Sequence, residues 1–222
     1  MHTKLLFTDP YDPSKTITEY PSFISVQGGD GTLLTAINNY YDLKKPYYGI
    51  AGGTVNFLMN SSPKVSPNAT LLEFPILKAV VNLGLDTIRT VYAFNDFNIG
   101  NHNAWTEFIC KHKDNQLGNF KGSGIIISTA AGSTGLNKNN GGPVMELNSS
   151  NWVITSSQAN RQVKAIVRPT ELTIDCLTRG TTILAADGTN EILTDVKSVT
   201  ITHGGSVQLI INNLKELQLK RQ

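Results

Sequence analysis

The residues best suited to chemistry in this 222-residue chain come first at Gly28-Gly29-Asp30-Gly31-Thr32. The apolar, β-branched run at 23–26 predicts a buried strand. It breaks on Gly28 and Gly29, sets down one carboxylate, breaks again on Gly31 and runs on through 32–43. Apolar residues at Leu33, Leu34, Ile37 and Tyr41 give that last piece a period of roughly 3.6 residues, so it predicts a helix. Glycines at a strand-to-helix junction let backbone N–H groups close on an anion, and the helix N-terminus adds a favourable partial charge. Such a turn suits a phosphate, and a carboxylate beside it can take a proton from an attacking hydroxyl, as phosphoryl transfer from ATP requires. These residues alone leave a second reading open, in which Asp30 caps the helix and the glycines only make a tight turn.

The elements that must hold this turn follow from the pattern around it. A short strand is predicted at 5–8, and Pro10 and Pro13 reduce the connection after it to a turn or a short helix. Pro46 restarts the chain after the helix, and 47–51 reads as a parallel strand, giving strand, helix, strand and hence a small open α/β sheet. A second glycine turn, Gly52-Gly53, follows that strand, before Asn56, Phe57 and Leu58. Ligands in such sheets sit off the carboxyl ends of the strands, so both turns are expected at one crevice. A Ser-, Pro- and Asn-rich loop at 60–68 marks a boundary, with an α/β domain over 1–66. A β-rich, sandwich-like domain is expected over 67–205. Its strands are predicted at 71–81, 90–95, 104–111, 124–128, 152–155, 163–167, 172–176, 181–185 and 197–202, with a further strand at 207–211 in the segment that follows. The closing segment, 206–222, is expected to pack back on the first domain, its end a short helix or an extended tail.

Charged residues make up 16% of the chain and the net charge is +2, with no charge block that favours nucleic acid or a membrane surface as a partner. Lys215, Lys220 and Arg221 read as a solvated helix end. Cys110 and Cys176 have no paired spacing and are expected to be reduced core thiols. No apolar run reaches the roughly 18 residues a spanning helix needs, so a cytoplasmic protein is expected. His2, His102, His112 and His203 lack ligand-like spacing. Trp105 and Trp152 are expected in a core or an interface.

Taken in order, these segments resemble the NAD kinase family. Gly28-Gly29-Asp30-Gly31-Thr32 is similar to its first signature, and the run Gly49 to Leu58 to its glycine segment ending in Phe-Leu. Asn95-Asp96 falls where Asn-Glu is usual. Gly122-Ser123-Gly124, Ser128 to Thr134 and Gly141-Gly142-Pro143 follow the long motif of the second domain, and Asn160-Arg161 and Asp187-Gly188 come in the expected order. The resemblance runs from Ser25 onward. It implies NAD bound between an α/β domain and a β-rich domain, with its adenosine 2′-hydroxyl attacking the γ-phosphate of ATP to give NADP. Asp30 is then the general base, with Mg²⁺ or another divalent cation held mainly by the phosphates.

The resemblance also implies that NAD meets Gly29, Gly31, Thr32, Phe57, Asn95, Asp96, Ser123, Thr129, Ser133, Thr134, Gly135, Leu136 and Asn139. Asn95 and Asp96 serve ribose hydroxyls as donor and acceptor. The phosphates fall to Gly28, Gly29, Gly52, Gly53 and Arg161, although a structural salt bridge at Arg161 is an equal expectation. A homodimer or homotetramer is implied as well. Four departures stand out: Asp96 is a methylene shorter than Glu, Ser123 replaces an acidic residue, Leu136 a tyrosine and Ala51 an asparagine. They keep open a catalytically weak relative that binds NAD(P) or another adenine nucleotide. A lipid-type kinase resembles the chain only at Gly28 to Thr32.

Overall fold

Pro10 and Pro13 keep a helix from following the first strand, and the structure puts a hairpin there. In this computed structural model, which describes residues 3–101, 103–113, 115–177, 181–187 and 192–221, strand β1 (Lys4–Thr8) pairs antiparallel with β2 (Thr16–Glu19). The expected turn or short helix is therefore replaced by a strand. Asp9 and Asp12 accept from the backbone N–H groups of Tyr11 and Ser14, local bonds that fold the connection back. β2 then pairs antiparallel with β3 (Ile24–Gly28).

β3, α1 (Asp30–Tyr40) and β4 (Tyr47–Ala51) form the strand–helix–strand unit, with β3 and β4 parallel. Leu33, Ala36 and Ile37, three and four residues apart, are buried on one face of α1. The helix begins two residues earlier than its apolar pattern predicts and stops at Tyr40. A tight 3₁₀ turn (Tyr41–Leu43) completes the run, and Lys44 adopts a left-handed conformation before Pro46.

The chain divides into two units, one up to Phe74 and again from Ser206, the other from Pro75 to Gly205. β5 (Thr70–Asn82) leads into the second unit, followed by β6 (Ile88–Ala93), β7 (Asp96–Gly100), β8 (Thr106–His112) and β9 (Asn115–Ser128). After the single turn α2 (Leu136–Asn139) come β10 (Trp152–Ala159), β11 (Lys164–Val167), β12 (Leu172–Leu177), β13 (Ile183–Ala186) and β14 (Ile192–Leu193). β15 (Ser198–Ile211) brings the chain back to the first unit, where α3 (Leu214–Lys220) closes it.

β9 organises the second unit. Its first half pairs with β8, and its second half lies between β7 and β10. β12 joins β8 to β15, and β13 extends β7. Phe97, Phe108, Ile125, Ile127, Trp152, Ile154 and Ile174 are among its core side chains. Both cysteines lie in that core as free thiols, pushed up to about 12 by burial. Trp152 is in the core as expected, whereas Trp105 is mostly exposed.

Candidate active site

Two glycine turns meet in the first unit. Gly28 holds a φ of 152°, and a side chain there would collide with Thr32. A Cβ on Gly29 would come within 2.8 Å of Val55 O, and one on Gly53 within 2.8 Å of Gly29 Cα. These are backbone-to-backbone contacts, so glycine is required for the two turns to pack. The Asp30 N–H donates to Val55 O at 2.9 Å, and Gly52 N–H to Gly28 O at 2.8 Å.

Asp30 opens α1 but does not cap it; Gly29 stands at the cap position, and no side chain bonds there. The carboxylate reaches the other turn instead. Its Oδ2 accepts from Phe57 N–H at 2.9 Å and its Oδ1 from Leu58 N–H at 3.0 Å. Each oxygen keeps a second acceptor direction. A cavity of about 360 Å³ opens beside this carboxylate, lined by Gly29, Asp30, Gly31, Thr32, Thr35, Gly53, Thr54 and Val55 and, from the hairpin, by Phe7, Asp9 and Lys15. Gly28 and Gly52 form the turns behind it.

Burial pushes the Asp30 carboxyl up from the ordinary carboxylate range, against the Leu58 and Phe57 amides and the charges of Arg221 and Lys220. Those two cations were expected on a solvated helix end. Arg221 is instead only 4% exposed, its guanidinium pushed down to about 10 by burial and held up by Asp30. Lys220 Nζ bonds to Met59 O at 3.3 Å and Ser61 Oγ at 3.2 Å, and to Glu216 at 2.8 Å. Buried Asn60 secures the same loop, donating to Gly49 O and Ile210 O and accepting from Asn212 N–H. Only the apolar spacing of Leu214 and Leu217 hinted that α3 has a buried face.

In the second unit, Asn95, between β6 and β7, and Asp96, the first residue of β7, sit on a carboxylate platform. Asp187 accepts from the N–H groups of Phe94 at 2.5 Å, Asn95 at 2.6 Å and Asp96 at 3.0 Å. Its sequence neighbour Gly188 lies outside the described residues, as do His2 and His102. Burial pushes Asp96 up to about 7, helped by the nearby negative charge of Asp187, which is itself raised to about 6 by burial. The Asn95 side-chain oxygen is buried without a hydrogen-bond partner among the described residues.

The 129–134 turn packs against this platform. Thr129 Oγ1 donates to Phe94 O at 2.7 Å, and Thr129 N–H to Asn95 O at 2.9 Å. Ser133 Oγ donates to Ala130 O and accepts from Met145 N–H. Both hydroxyls are wholly buried, so these side chains hold the turn, whereas Thr134, Gly135, Leu136 and Asn139 are accessible at its end and just beyond it. Asn137 links Ser133 O, Pro143 O and the Thr155 hydroxyl, and it fills the space that a side chain on Gly142 would need. Ser123 Oγ bonds across to Ser157 on β10. Arg161 lies exposed in the turn after β10 and pairs with no carboxylate among the described residues.

No family model matches the chain. It is 34% identical over 145 residues to the NAD kinase of Chlorobium phaeobacteroides, covering 60% of this chain and 50% of that protein. It is 33% identical over 150 residues to the NAD kinase of Campylobacter lari, covering 64% and 54%. The chain is thus similar to NAD kinases over 60–64% of its length. It spans about half the length of these curated relatives. The fold is shared with solved structures. Yeast NADH kinase complexed with NADH matches 85% of this chain and 61% of its own, with a TM-score of 0.74 at 18% identity. The NAD kinase of Archaeoglobus fulgidus in complex with ATP matches 87% and 80%, with a TM-score of 0.70 at 20% identity.

Proposed function

We propose that this protein transfers the γ-phosphoryl group of ATP to the 2′-hydroxyl of the adenosine ribose of NAD, giving NADP and ADP. The observation that carries this reading is the Asp30 carboxylate, raised by burial, lining a cavity built from two interlocked glycine turns in a chain similar to NAD kinases. The hydroxyl oxygen forms the new bond to the γ-phosphorus as the bond to the ADP oxygen breaks, and the hydroxyl proton passes to Asp30. A carboxyl that burial makes more basic is a better proton acceptor than an ordinary one. The Phe57 and Leu58 amides fix its two oxygens, which holds the remaining lone pairs in place.

Among the described residues no cluster of three metal-ligating side chains occurs. We assign a divalent cation chiefly to the phosphate oxygens and water, with Asp30 lining the same cavity. Such a cation supplies charge neutralisation at the phosphates. Asn95 and Asp96 are assigned to the ribose hydroxyls, and the 134–139 turn, with Phe57 and Ser123, to the rest of the dinucleotide. Gly28, Gly29, Gly52 and Gly53 are assigned to the phosphates, with Arg161 as a further cation. A homo-oligomer in the cytoplasm, without nucleic acid or membrane as partner, completes the proposal; the free buried thiols suit a reducing compartment. Incubation with NAD, ATP and Mg²⁺, with NADP and ADP resolved by anion exchange, tests it. Equimolar NADP and ADP are expected; nucleotide binding without any NADP would contradict the assignment.

A further inference from the structure

The β1–β2 hairpin precedes Ser25, where the family resemblance begins, yet it forms one wall of the Asp30 cavity through Phe7, Asp9 and Lys15. Lys15 is the only cationic side chain among the residues that line this cavity. Its backbone is pinned: Lys15 N–H donates to Asp12 O at 2.9 Å, and Asp9 N–H donates to Lys15 O at 3.1 Å. Its side chain is not. The ammonium stands 3.5 Å from Asp12 and 3.9 Å from Asp9, pairs a third exposed to solvent and therefore weak. The two carboxylates are the fixed partners, since Asp9 also accepts from Tyr11 N–H and Asp12 from Ser14 N–H.

We infer that Lys15 is the cation that grips the phosphate chain of the phosphoryl donor, leaving Asp9 and Asp12 when a polyphosphate enters the glycine-lined cavity. The inference rests on the proposed function and adds a binding residue to it. A lysine is a flexible point charge that can follow a phosphate over the length of its stem, and the same cavity is lined by Gly29, Gly31 and Thr32 at the N-terminal end of α1, where the helix favours an anion. Asp9 has the reverse effect. It competes for the ammonium and places a negative charge at the wall of a cavity meant for a polyanion.

The two residues therefore give changes of opposite sign. Titration calorimetry with inorganic tripolyphosphate in EDTA, and in parallel with ATP, would be run on the wild type, Lys15→Met and Asp9→Asn. Lys15→Met is expected to weaken both ligands about tenfold or more, with a shallower dependence on salt and NAD affinity unchanged. Asp9→Asn is expected to tighten both. Weakening of ATP but not of tripolyphosphate would place the lysine on the nucleoside and overturn the inference. Unchanged binding in Lys15→Met, or weakened binding in Asp9→Asn, would overturn it as well, while leaving NADP formation by the wild type, and so the proposed function, intact. A wild type that binds neither ligand defeats both.

Discussion

At the residue scale, the informative groups are carboxylates placed where burial and backbone amides compete. Asp187 spends its charge on three N–H groups of the 94–96 turn. Asp187→Asn puts an amide N–H₂ against one or more of those donors. The loss is expected to be about 1–3 kcal/mol, read as a lower midpoint in urea unfolding. Asp96 and Asp187 are raised to about 7 and about 6 from 3.8. A raised carboxyl binds its proton more tightly in the folded state, so the stability it adds is complete below pH 3.8 and fades as pH climbs through 6 and 7. Thermal unfolding is therefore expected at a higher temperature at pH 5 than at pH 8; the reverse order would show that the amides outweigh burial. Ligand binding should move the other way. A ribose hydroxyl donates best to an ionised Asp96, so NAD affinity is expected to rise between pH 6 and pH 8 and to lose that rise in Asp96→Asn.

At the element scale, the two glycine turns act as one part. In Gly53→Ala the new methyl would meet Gly29 backbone at 2.8 Å and push the turns apart, taking Phe57 and Leu58 from Asp30. Activity is expected to fall at least tenfold, with a smaller change in stability. Truncation before Leu214 should lower the stability of the first unit, because Leu217 is buried and Lys220 ties down the 59–61 loop. The strand–helix–strand unit and the glycine turns were legible because local pattern dictates them. Asp30's contacts were not, since Phe57 and Leu58 lie 27 and 28 residues away. Nor was the setting of Arg221, where a cationic tail reads as solvated until the fold buries it. β7 and the first half of β9 were missed because Gly100, Gly118, Gly122 and Gly124 dilute the alternating pattern. Gly204-Gly205 made one strand, β15, read as two. The hairpin at 4–19 went unseen because its second strand has no apolar run.

At the scale of the whole molecule, the resemblance to NAD kinases sets the expectation and this chain's departures from it set the questions. Ser123 bonds to Ser157 and Leu136 offers no hydroxyl, so the proposed function leaves the dinucleotide to the Asn95–Asp96 platform and to backbone groups. The most direct measurement is the rate of NADP formation by Asp30→Asn beside the wild type, with NAD and ATP binding measured on the same samples. A general base contributes about 10²- to 10⁴-fold, so the variant should lose that much in rate while still binding both nucleotides. NADP formation by the variant at the wild-type rate would contradict the account, and Asp30 would then be no more than the clasp between two turns.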